Sequence, residues 1–114
     1  VKHVILAHLR ADSTTARKAL RLDHLKYLSA HKTSVIAGGP AVGSDGTPLT
    51  MIIFTNFTEM EAARAFIAEE PYTASGQVFE KVEILAWSQV LPEPTSGALD
   101  LEIEKELSAR SSSR

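Results

Sequence analysis

The chain contains no cysteine. That excludes a disulfide frame, a thiolate nucleophile and any cysteine-based metal site, and it suits a cytoplasmic protein. There is no excess of basic charge either: 12 Lys and Arg stand against 14 Asp and Glu, for a formal charge of −2. Without a basic field, nucleic acid and anionic membrane are not expected partners. Long hydrophobic runs are also missing. Val4-Ile5-Leu6-Ala7 is too short for a signal segment or a membrane span. In that light the glycosylation-type triplet Asn56-Phe57-Thr58 reads as a turn and helix cap.

Metal-ligand patterns are absent as well. There is no HxH or HExxH. His3 and His8 fall on opposite faces of one strand, and His24 and His31 lie two helical turns, about 10 Å, apart. No metal and no cofactor are expected. Gly38 and Gly43 have the spacing of half a phosphate loop, but Ser44-Asp45 and then a strand follow, which excludes that reading. No GxSxG elbow occurs.

What is present suits one small globular domain. Of 114 residues, 44% are hydrophobic and 23% charged, an ordinary balance for a folded chain. Val4 to Arg10 alternates as a first strand, with Val4, Leu6, His8 and Arg10 on one face. Asp12 and Ser13 open a helix that runs to about Lys32. Ser34 to Ala37 is a short strand ending in Gly38-Gly39-Pro40, and Ala41 to Pro48 is a loop. Leu49 to Phe57 is a strand apolar on both faces. Thr58 and Glu61 form a capping box for a second helix that must stop before Pro71. Tyr72 to Gly76 is a turn or short helical piece, and Val78 to Trp87 the last strand.

The order β-α-β-β-α-β predicts a ferredoxin-like α+β fold with both helices on one face of the sheet. Apolar residues on the other face then need a cover, which predicts a homodimer packed sheet to sheet. The domain is expected over residues 1–88. Residues 89–114 read as a linker with Pro92 and Pro94, then a helical extension with Leu99, Ile103 and Leu107 four apart. A strand is the alternative there. The extension is expected to dock on the sheet or on the partner subunit, and Ser111 to Arg114 to fray.

Leu20, His24 and Leu28 share a helix face, which sets an imidazole in an apolar stripe. A histidine satisfied within the core would look the same. Glu70, four residues after Phe66, emerges at the edge of the second helix's packed face, where Pro71 fixes its exit. With both helices in one layer, Glu70 can approach His24. A carboxylate accepting one imidazole N–H fixes the tautomer and makes the other nitrogen a better base. His8, Arg10 and Tyr72 are supporting candidates for substrate contact; a polar strand end and a packed aromatic are their plainer readings. His31 is expected to cap its helix.

His24-Leu25-x-x-Leu28, then Gly38-Gly39-Pro40 after a short strand, then Glu70-Pro71-Tyr72 with Gly76 four residues on, together resemble the YCII-related family over about residues 3 to 88. The family usually carries Asp where this chain has Glu70. The resemblance implies a dimeric α+β barrel and a histidine–acid pair that maps onto His24 and Glu70. It implies cofactor-free lyase- or isomerase-type chemistry on a small aromatic or enolisable molecule, such as dehydrochlorination of a chlorinated hydroxyhydroquinone. A non-catalytic ligand-binding or accessory dimer is the alternative.

Overall fold

The computed structural model describes residues 1–112. The chain forms β1 (Lys2–Leu9), α1 (Thr14–Ala30), a 3-10 turn (Lys32–Ser34), β2 (Val35–Val42), β3 (Pro48–Thr55), α2 (Met60–Glu69), α3 (Pro71–Ser75), β4 (Phe79–Trp87) and α4 (Ala98–Ser112). The four strands make one antiparallel sheet in the order β2-β3-β1-β4. This is the ferredoxin-like arrangement, with a C-terminal helix added.

The alternation along β1 decides which side is covered. Ile5 and Ala7 face the helices and are fully buried, with Ile53 beside Ile5 on β3. Phe66 and Ile67 of α2 close over Ile5 and Ile53, while Tyr72, Val78 and Phe79 pack around Ala7. Each such aliphatic or aromatic side chain contributes about 1.5–3 kcal/mol on burial. The central pairs Ile5–Ile53 and Ile5–Ile84 fix the register, because a slip by one residue would turn the apolar set outward.

Several boundaries differ from the sequence reading, each for a local reason. β2 does not end at Gly38-Gly39-Pro40 but runs through them to Val42. It is an edge strand with a ladder on one side only, which is where a proline lacking an N–H is tolerated. The capping box does not form: Glu59 is the α2 N-cap, without a side-chain cap. The chain leaving β3 is held instead by His3, whose Nδ1–H donates to the Phe57 carbonyl at 2.9 Å, and by Phe57 packed on Phe66. Phe79 lies on the helix side, whereas unbroken alternation from Trp87 would set it on the other. The pairing of β1 with β4 shifts between His8 and Leu9, and Glu80 is the extra residue.

The tail is helical over Ala98–Ser112, and Glu93 reaches forward to accept the Leu99 N–H at 2.9 Å. The docking expected on the sheet does not occur within the chain. Leu101, Ile103 and Leu107 are 52%, 51% and 61% exposed, and no residue of α4 is buried. Leu101 projects from the side opposite Leu99, so the apolar residues do not form one stripe wide enough to bury. The radius of gyration is 18.0 Å, against about 13 Å for a compact chain near this length, and the longest dimension is 60 Å. Ser111 and Ser112 are helical, Ser112 donating to the Ser108 carbonyl; the fraying expected for residues 113 and 114 lies outside the described residues. No helix among the described residues is long and apolar enough to cross a membrane.

Candidate functional site

The site begins with an interrupted helix. Pro71 cannot continue α2, so Glu70 leaves the helical region with φ −62° and ψ 130° and becomes the N-cap of α3. Its carboxylate turns back on its own chain. Oε1 accepts the Tyr72 N–H, and Oε2 accepts the Thr73 N–H and the Thr73 hydroxyl, all at 3.1–3.3 Å. Those are orphan donors of a helix start, which a carboxylate satisfies well.

The fourth partner comes from α1. His24 Nδ1 lies 2.5 Å from Glu70 Oε1. Both residues are buried, Glu70 completely and His24 to 4% exposure. The carboxylate is now an acceptor four times over, so the proton between the two groups belongs on Nδ1, which donates. That leaves Nε2 with a lone pair. Nε2 makes no hydrogen bond among the described residues, and the buried side-chain atom found without a partner there is Trp87 Nε1, not this one. His24 lines a cavity, so Nε2 opens onto it.

The imidazole is fixed flat as well as tethered. Tyr72 stacks on it with centroids 3.9 Å apart and planes 6° from parallel. The Tyr72 hydroxyl donates to the Arg17 carbonyl at 3.2 Å. Burial pushes the Tyr72 phenol above its ordinary value of 10.0, Arg21 and Arg17 pull the other way, and Glu70 adds a smaller upward push. The phenol is therefore neutral at physiological pH and remains a donor.

The cavity has a volume of about 340 Å³. Its walls are apolar: Leu9, Leu25, Leu28, Met51, Phe79, with Pro40 and Pro48 from the β2–β3 hairpin. A second hollow of about 280 Å³ shares Leu28 and Met51 with it and continues along β2 past Gly38 and Gly39. The two hollows adjoin at Leu28 and Met51, between α1 and the sheet.

The structure brings His24, Glu70 and Tyr72 together and leaves His8 and Arg10 apart. His8 points to the face of the sheet away from α1. There its Nε2–H donates to Glu83 at 2.7 Å and its Nδ1 meets the Thr50 hydroxyl at 3.0 Å. That hydrogen bond, with Lys81 nearby, holds the Glu83 carboxyl below the usual carboxylate value. Arg10 lies beyond the bulge among Asp12, Thr15 and Gln77, outside the His24 cavity. Neither lines the His24 cavity, and His8 faces the sheet's uncovered side. His31 does cap α1, its Nδ1–H donating to the Tyr27 carbonyl at 2.8 Å.

Two residues at the cavity escaped the sequence reading. Arg17 and Arg21 are charged residues that helix patterning sends to solvent, yet both line the cavity with His24. The spacing was available: Arg17, Arg21 and His24 fall at i, i+4 and i+7, one helix face. No metal-competent cluster of His, Asp and Glu occurs among the described residues.

A model of the YCII-related domain matches residues 1–88. The chain belongs to the YCII-related family. Among solved structures, the YCII-related protein resembles 5-chloro-2-hydroxyhydroquinone dehydrochlorinase from Burkholderia phenoliruptrix AC1100, in complex with 2,5-dihydroxybenzoquinone. The TM-score is 0.70 at 21% identity, over 78% of this chain and 95% of that one. A putative antibiotic biosynthesis monooxygenase from Bacteroides thetaiotaomicron aligns at TM-score 0.52 and 9% identity, over 82% of this chain and 91% of that one. At these identities the likeness speaks for the fold. No curated protein matches the chain in sequence.

Proposed function

We propose that the protein is a cofactor-free acid–base enzyme of lyase or isomerase type, acting on a small aromatic or enolisable molecule. His24 is the base. Glu70 orients it and stabilises the imidazolium that forms, and Tyr72 holds the ring plane. The observation that carries this reading is the pairing of a carboxylate-tethered Nδ1 with an Nε2 that opens on a cavity. A base so placed removes a hydroxyl or carbon-bound proton from a substrate in the cavity. The electron pair left behind shifts a double bond or expels a leaving group such as chloride, and the proton on Nε2 is returned to substrate or to water. Dehydrochlorination of a chlorinated hydroxyhydroquinone is one such reaction, and the likeness to a dehydrochlorinase that holds a dihydroxyquinone supports it.

The same reading takes the working molecule as a homodimer. Ile52, Phe54 and Trp87 are half-buried on the sheet face that no helix covers, and Leu85 there is 49% exposed. Phe54 and Trp87 meet edge to face, and Trp87 Nε1 is buried without an acceptor. A second sheet would cover these residues.

The test is turnover of chlorinated hydroxyhydroquinone, followed as chloride release, by wild type and His24→Gln. Loss of Nε2 as a base predicts a fall of about 10²–10⁴-fold in kcat, with the thermal midpoint little changed. Equal turnover by the folded variant would end the assignment.

A further inference from the structure

The cavity beside His24 is charged in a way that the proton-transfer pair does not need. Arg17 and Arg21 reach it from the same face of α1. No carboxylate lines it, because Glu70 is behind the imidazole and fully occupied by its own four donors. The two arginines are not equivalent. Arg17 is half-buried and tied down, its Nε–H donating to Ser13 Oγ at 3.2 Å and a second nitrogen to Thr14 Oγ1 at 3.4 Å. Arg21 is exposed and has neither an ion pair nor a hydrogen bond among the described residues. A guanidinium presents five donors in a planar fork suited to a carboxylate or a pair of ring oxygens. Here that fork stands unengaged at the mouth of a cavity whose inner walls are aliphatic and aromatic.

We propose that Arg21 determines specificity by requiring a substrate that carries a negative charge: a small planar ring bearing a carboxylate or an ionised ring hydroxyl. Arg21 takes the anionic group at the mouth, Arg17 adds to the field from its fixed position, and the ring lies on Leu28, Met51 and Phe79 within reach of Nε2. The inference rests on the proton-transfer reading of the site and adds the charge of what enters it. The geometry also has a catalytic sense. An anion formed in the ring when His24 takes its proton develops beside two positive groups, one of them fixed, rather than in bare hydrocarbon.

Two probes of one shape separate charge from fit: 2,5-dihydroxybenzoate and its neutral amide, 2,5-dihydroxybenzamide, each titrated by calorimetry into wild type, Arg21→Gln and His24→Gln. Wild type is expected to bind the carboxylate at least tenfold more tightly than the amide. Arg21→Gln should remove that preference while leaving the amide affinity within about twofold, and His24→Gln should keep it. Raising the salt from 50 to 500 mM should weaken the carboxylate alone. Equal binding of both probes by wild type overturns the proposal. So does a loss of affinity for both probes alike in Arg21→Gln, a preference that disappears with His24 instead, or no binding of either probe. Failure of the base assignment looks different: the charge preference survives, but turnover does not depend on His24.

Discussion

At the scale of single residues, the outcome turns on one methylene. The family resemblance leads one to expect Asp where Glu70 stands, and the extra length is accommodated because the side chain does two jobs. It folds back to cap α3 and still reaches His24 Nδ1 at 2.5 Å. The sequence reading found the pair from helix-face spacing and from Pro71. It did not find the cap, because capping by the residue before a proline depends on where α2 stops. Replacing Glu70 by Gln leaves the shape but puts an amide NH2 against N–H donors. Urea unfolding should show a loss of about 1–3 kcal/mol, the cost of leaving buried polar groups unsatisfied. A variant as stable as wild type would show that these hydrogen bonds contribute little. His8 shows a related shortfall. Strand alternation groups His8 with Arg10, but only the folded sheet reveals which face has helices over it.

Secondary elements were more legible than their ends. All four strands and both core helices follow from periodicity, since a period of two and a period near four are hard to confuse over eight or more residues. The ends depend on tertiary partners. β2 extends through Gly38-Gly39-Pro40 because β3 is there to pair with it, and Phe79 changes face because Glu80 is looped out. α3 is stopped by Gly76, whose φ of 68° lies in the left-handed region. A Cβ at Gly76 would meet nothing within 4 Å, so strain in the backbone is the whole penalty. Gly76→Ala should cost about 1 kcal/mol, read as a lowered urea midpoint with an unchanged slope. A neutral result would mean that α3 ends equally well in another conformation.

For the molecule as a whole, the fold class was legible and the tail's position was not. Leu99, Ile103 and Leu107 suggest a docked stripe, whereas no residue of α4 is buried and Leu101, Ile103 and Leu107 are exposed. Nothing in a four-residue spacing states what lies opposite. The proposed dimer is tested on the sheet's other side. If two sheets meet there, Leu85→Glu puts charges into the contact, and sedimentation at micromolar concentration should show a monomer where wild type sediments as a dimer. A stable specific interface removes roughly 800 Å² per partner, so one buried charge near its centre is enough to tip the balance. Wild type sedimenting as a monomer would refute the dimer outright.

Gly38 gives the second hollow an adjustable wall. Gly38 pairs with Ile53 on the helix-covered face of the sheet, and a Cβ there would meet Ile52 O at 3.5 Å and Val35 Cγ1 at 3.7 Å, ordinary contacts in a hollow that His24 does not line. Side chains of graded bulk at that one position would fill that hollow stepwise without touching the imidazole, its carboxylate or the arginines. On the proposed reading, ring size and proton transfer would be governed from separate strands and helices, so that a descendant of this chain could change its guest while keeping its chemistry.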